Sequence, residues 1–147
     1  MQSHDLEEIA NALVADCKGI LAAQASDTEV AEATLRCLRR HVPAAVSGVV
    51  FLSGGQTDVA ATRHLNAINQ IPRSVPWKIS FSYGRALHDP ALATWLGEKG
   101  NYQEAQHAYH RRAERNAAAA AGRYDATMEN ELIRESDWAN QSGYQDD

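Results

Sequence analysis

Apolar residues recur along this chain in two rhythms, one at helical spacing and one in short unbroken runs. Leu6, Ile9, Ala10 and Leu13 form a stripe with Glu7, Glu8 and Asn11 on other faces, which predicts a short amphipathic helix over residues 6–14. Ile20, Leu21, Ala22 and Ala23 follow as a compact apolar run entered through Gly19, the pattern of a strand buried on both faces. Helical spacing returns with Val30, Ala31, Leu35 and Leu38, predicting a helix over residues 27–41. Asp27 or Thr28 would cap it, Arg36, Arg39 and Arg40 lie near its end, and Pro43 closes it. Residues 49–52 predict a second strand, Ser53-Gly54-Gly55 a turn, and residues 58–68 a helix. Pro72 and Pro76 mark a loop over residues 70–76, residues 77–83 predict a third strand, and Gly84-Arg85 lead into a helical segment ending near Gly97. A last helix is expected over residues 102–121, where the alanines at 117–121 have strong helix propensity.

Strands separated by helices predict an α/β protein with a parallel sheet. Parallel connection sends the C-terminal end of every strand to one pole, so Gln24, Ser53, Gly54, Gly55, Ser82, Gly84 and Arg85 gather there. Glycines after a strand let backbone N–H groups approach a ligand, and the helix that follows adds partial positive charge. Tyr83-Gly84-Arg85 supplies a second close approach and a guanidinium able to grip phosphate oxygens with two hydrogen bonds. Either turn alone reads as an ordinary strand-to-helix connection. The two together on adjacent strands favour a phosphate site.

Charge narrows the partners. With 14 basic and 19 acidic residues and a formal charge of -5, the 147-residue chain lacks the surface of a general nucleic-acid binder. No run reaches the roughly 18 apolar residues a membrane span needs, and the acidic, polar start is unlike a secretory signal, so a cytoplasmic location is expected. Cys17 and Cys37 do not make a disulfide framework and are expected as free, largely buried thiols. His107 and His110 stand three apart without a third ligand at suitable spacing, His64 and His88 are isolated, and neither metal nor cofactor is expected. Arg111, Arg112 and Arg115, interleaved with Glu104 and Glu114, read as a helix surface.

Longer stretches carry a family likeness. FLSGGQ followed by LNAIN, then PWKISFSYGRAL and YQEAQHAYHRRAERNAAAAAGRY, resemble class I fructose-bisphosphate aldolase. EATLRCLRRHVPAAVSGVV resembles the helix and strand before that family's phosphate turn, and LEEIANALVADCKGILAA resembles the start of its first barrel strand. The likeness covers roughly residues 6–125. It implies a (β/α)₈ barrel that cleaves fructose 1,6-bisphosphate to dihydroxyacetone phosphate and glyceraldehyde 3-phosphate through a lysine Schiff base. Ser53, Gly54, Gly55, Ser82, Gly84 and Arg85 would hold one substrate phosphate. Such a barrel needs about 250 residues. The likeness passes from the first strand at Ala23 to the helix before strand seven by about Ala33. The expected fold is therefore a partial TIM barrel of three parallel strands, equivalent to strands 1, 7 and 8, over residues 1–125, with a polar tail at 126–147.

The family's Schiff-base lysine, set in Lys-Pro-Asn-Met, has no counterpart, and neither do its other active-site lysines or its glutamate acid/base. The first-strand aspartate is replaced by Gln24 and the next glutamate by Ala25, and Tyr144 is followed by Gln-Asp-Asp rather than ending the chain. Lys78 starts its strand, about 13 Å from Ser82 and toward the opposite pole. Lys18 sits similarly at a strand start, and Lys99 reads as a solvated charge. The resemblance thus predicts sugar-phosphate binding without retained catalytic residues. The alternative is a non-catalytic assembly remnant whose uncovered sheet drives self-association or pairing with a full-length aldolase.

Overall fold

Residues 25–71 and 75–130 are described by a computed structural model. Helix α1 (Asp27–His41) begins where Ser26 and Glu29 cap each other reciprocally: the Ser26 N–H donates to Glu29 Oε2 at 2.8 Å, and the Glu29 N–H donates to Ser26 Oγ at 3.3 Å. The cap is therefore Ser26, one residue before Asp27 and two before Thr28, the expected caps. The spacing Ser-x-x-Glu explains the shift, because it alone satisfies two backbone donors at once. Acidic residues at the start and Arg39, Arg40 and His41 at the end suit the helix dipole. Cys37 on this helix is exposed, contrary to the expectation of a buried thiol, because it lies off the face that buries Ala31 and Leu35.

Strand β1 (Gly48–Phe51) leads through the glycine turn into α2 (Asp58–Gln70), whose cap Thr57 accepts from the Ala60 N–H at 3.2 Å. Strand β2 (Lys78–Phe81) leads into α3 (Arg85–Trp95), and a single 3₁₀ turn at Lys99–Asn101 opens α4 (Tyr102–Ala120). Both strands are four residues long, so β2 is shorter than the expected 77–83. The two strands pair in parallel with Gly48 beside Lys78 and Phe51 beside Phe81. The expected strand over residues 20–23 and helix over 6–14 lie outside the described residues. Among the described residues the sheet has two strands, and no helix is long and apolar enough to cross a membrane.

The helices cover one face of the sheet. Ile79 and Tyr83 from the β2 side pack with Ala31 and Leu35 of α1, Ala61, Leu65 and Ile68 of α2, Ala86 of α3 and Ala119 of α4. Pleating turns alternate residues the other way, leaving Val50 61% and Leu52 74% exposed, with Lys78 and Ser82 also open on β2.

Helix α4 carries a buried cation. Arg112 is 2% exposed, its Nη1 lying 3.1 Å from Asp58 Oδ2 and its Nη2 2.8 Å from Glu129 Oε1 and 3.0 Å from Thr62 Oγ1. This overturns the expectation of a surface arginine cluster. Ala105, Ala108, Asn116 and Ala119 share its buried stripe, and their small side chains let the helices approach and enclose the long one. Glu129 belongs to a 3₁₀ turn (Ala126–Asn130) at the start of the polar stretch, and Arg115 adds a bond to it at 3.1 Å. Burial alone would raise the Glu129 carboxyl, but hydrogen bonds from Arg112 and Tyr124 and the charges of Arg112 and Arg115 outweigh it and hold it below its ordinary range.

Two outcomes follow for stability. Leu65→Ala should cost roughly 2–5 kcal/mol in denaturant unfolding, as expected for a leucine that is 1% exposed. Glu129 has a depressed folded-state pKa, so its contribution is present above the ordinary glutamate value and lost as pH falls through the lower folded value. The stability gap between the parent and Glu129→Gln should therefore shrink on acidification below about pH 4.5.

Candidate functional site

Continuing the strand register past Phe51 and Phe81 sets Gly54 and Gly55 beside Gly84 and Arg85. The Ser82 N–H extends the ladder by donating to the Phe51 carbonyl at 2.8 Å. Beyond that point the chains turn away into α2 and α3. The Gln56 N–H closes the first turn onto the Ser53 carbonyl at 2.9 Å, with φ of 55° at Gly54 and 86° at Gly55. These are left-handed values that glycine adopts without the cost a side chain adds. A Cβ on Gly54 would meet no atom within 4 Å, so backbone conformation rather than crowding requires glycine there.

The second turn is tighter. Gly84 (φ -89°, ψ -93°) caps α3 without a side-chain hydrogen bond, although its carbonyl accepts from the Leu87 and His88 N–H groups. The N–H groups of Arg85 and Ala86 at the start of α3, like those of Gly54 and Gly55, have no partner among the described residues. Arg85 joins the two turns: its Nη2 is 4.0 Å from the point where a Gly55 Cβ would stand. Its guanidinium is exposed and has no ion pair among the described residues.

The expected residues thus fall into a group and two outliers. Gly54, Gly55, Gly84 and Arg85 meet at one mouth. Ser53 is buried beneath the first turn at 6% exposure, while Ser82 sits on the open sheet face at the last rung. Gln24 is outside the described residues. Lys78 is exposed at the other end of β2. Two open backbone turns, a helix N-terminus and one exposed guanidinium suit a tetrahedral anion better than a neutral ligand.

Residues that composition left isolated also lie here. His64, on α2, places Nδ1 2.6 Å from Gln56 Oε1 and Nε2 3.4 Å from Asp27 Oδ1. Arg63 Nη2 meets the same carboxylate at 2.7 Å. Helix periodicity does not show this contact, because Asp27 comes from another helix. His88 pairs with its neighbour Asp89 at 3.1 Å. Among the described residues no group of three His, Cys, Asp or Glu side chains is placed to hold a metal ion.

Known proteins resemble this chain in sequence and in fold. Residues 23–144 match the family model for fructose-bisphosphate aldolase class-I. The chain belongs to that family. It is 51% identical over 115 residues, 78% of its own length, to fructose-bisphosphate aldolase 1, chloroplastic, of Chlamydomonas reinhardtii. It is 52% identical over 102 residues to a probable class 1 aldolase of Xylella fastidiosa. A structure of Plasmodium falciparum fructose-bisphosphate aldolase, solved with TRAP and a small-molecule inhibitor, superposes on 71% of the chain with a TM-score of 0.68 at 45% identity. The chain spans 29–30% of the length of these aldolases.

Replacing Gly54 or Gly55 by alanine should lower stability by roughly 1–2 kcal/mol through left-handed backbone strain, read from the urea midpoint at unchanged slope.

Proposed function

We propose that this aldolase-family chain binds a phosphate of fructose 1,6-bisphosphate at Gly54, Gly55, Gly84 and Arg85, with Ser53 and Ser82 flanking, and forms no imine with substrate. The observation that carries the binding is the N–H groups of two adjacent strand-to-helix turns that have no partner among the described residues, with Arg85 between them. Helix α3 begins without a side-chain cap at that point, so an anion would complete it. The non-catalytic half rests on the lysines. Imine formation needs an amine at the reacting carbon, and the 147 residues hold Lys18, Lys78 and Lys99. Lys78 is on the rung of Gly48, at the far end of the sheet from the turns. Lys99 is in the turn before α4.

A second reading rests on the uncovered sheet face. Val50 and Leu52 expose apolar surface that further barrel strands would bury, which favours association with a second copy or with a full-length aldolase. The cytosol, where free thiols persist, is the proposed location.

One preparation tests the reading. Calorimetric titration with fructose 1,6-bisphosphate should show binding that Arg85→Ala weakens at least about tenfold, as expected when a charged hydrogen-bond donor is lost. A coupled cleavage assay and borohydride trapping in the same sample should both be blank. No binding to folded protein would overturn the phosphate site; product together with a reduced lysine adduct would overturn the non-catalytic reading.

A further inference from the structure

His64 stands between two acceptors. Gln56 Oε1 faces its Nδ1 at 2.6 Å, and Asp27 Oδ1 faces its Nε2 at 3.4 Å. A neutral imidazole has one N–H and can serve one of these oxygens, whereas the imidazolium has two and can serve both. The ring is 23% exposed, so it exchanges protons with solvent while remaining held.

Each acceptor belongs to something that matters. Gln56 ends the first glycine turn, its own N–H closing the loop onto Ser53. Asp27 is the first residue of α1. His64 itself is on α2, which starts one residue after the Thr57 cap. The ring therefore links the far corner of the glycine turn to the start of another helix.

We propose that His64 is a positioning residue whose protonated ring fixes Gln56 against Asp27, holding the Ser53–Gln56 turn in the shape that binds an anion, so that affinity falls as the ring loses its proton. The inference rests on the anion-site reading above and adds a pH dependence to it. Among the described residues the charged groups beside the ring are Asp27 and Arg63. Asp27 on α1 lies against its Nε2, and Arg63 on α2 shares that carboxylate. Tyr83, after β2, donates to the Ala61 carbonyl at 2.8 Å, and burial pushes it up to about 12, so it stays neutral throughout.

Sulfate is the probe, because it keeps its charge where a phosphate ester titrates. Its affinity is measured between about pH 5.5 and 8, the range in which histidine ordinarily changes charge. The readout is the Gly54 and Gly55 amide resonances together with the nitrogen resonances of the His64 ring. The parent protein should bind roughly fivefold more weakly at the upper end, with a midpoint matching ring deprotonation. His64→Asn should bind at all pH values without that slope. Gln56→Leu should also lose the slope although the ring still titrates, which separates positioning from simple attraction between imidazolium and anion. His88→Asn, beside the second turn, should keep it.

A slope surviving in His64→Asn, or in Gln56→Leu, overturns the inference. Sulfate binding by the parent protein with no pH dependence overturns it while leaving the anion site standing. Folded parent protein that binds no sulfate at any pH overturns the site and the inference together.

Discussion

Parallel pairing of two four-residue strands is the constraint on which this structure turns. Because Gly48 pairs with Lys78 and Phe51 with Phe81, the chains leave the sheet together and in the same direction. Neither glycine turn is unusual alone. Register makes them neighbours, and the reach of Arg85 to Gly55 follows from it. A slip of one residue would exchange the buried Ile79 and Tyr83 for Lys78 and Ser82, so the core that holds the helices also fixes the mouth.

Behind the sheet, stability is shared between apolar and ionic packing. Leu35 and Leu65 fill the space between α1, α2 and the sheet. Arg112 does a different job, joining α2, α4 and the turn at Ala126–Asn130 through Asp58, Thr62 and Glu129. A buried guanidinium is costly to desolvate, and four close oxygens offset that cost. The polar stretch after residue 125 is thereby tied, at its start, to the helical layer.

Much of the fold was legible because its signals are local. The positions of the two strands, though not the shortness of β2, the Ser-Gly-Gly turn and the Tyr102–Ala120 helix come from spacing, glycine and alanine content that neighbouring residues do not override. The glycines of the two turns were legible for the same reason. What sequence did not show is tertiary. Arg112 looked like one of a surface cluster because alanines make a faint stripe, and burial depends on how near the facing helix comes. His64 looked solitary because Asp27 reaches it from another helix and Gln56 from outside α2. Asp27 and Thr28 both read as caps, but the Ser-x-x-Glu spacing one residue earlier carries the reciprocal bond between Ser26 and Glu29.

The far end of α4 carries a consequence for how the chain reaches this state. Gly122, at φ 67°, lets the Arg123 N–H return to the Ala118 carbonyl at 2.9 Å. The rest of that helix end is finished from α2: Asn69 Nδ2 donates to the Ala119 carbonyl, Gln70 Nε2 to the Gly122 carbonyl, and Asn66 Oδ1 accepts from the Tyr124 N–H. These contacts join positions 50 to 58 residues apart, and closing so long a loop is slow. The two helices should consequently acquire their final order in one late, concerted step, with α4 fraying at its end until α2 docks.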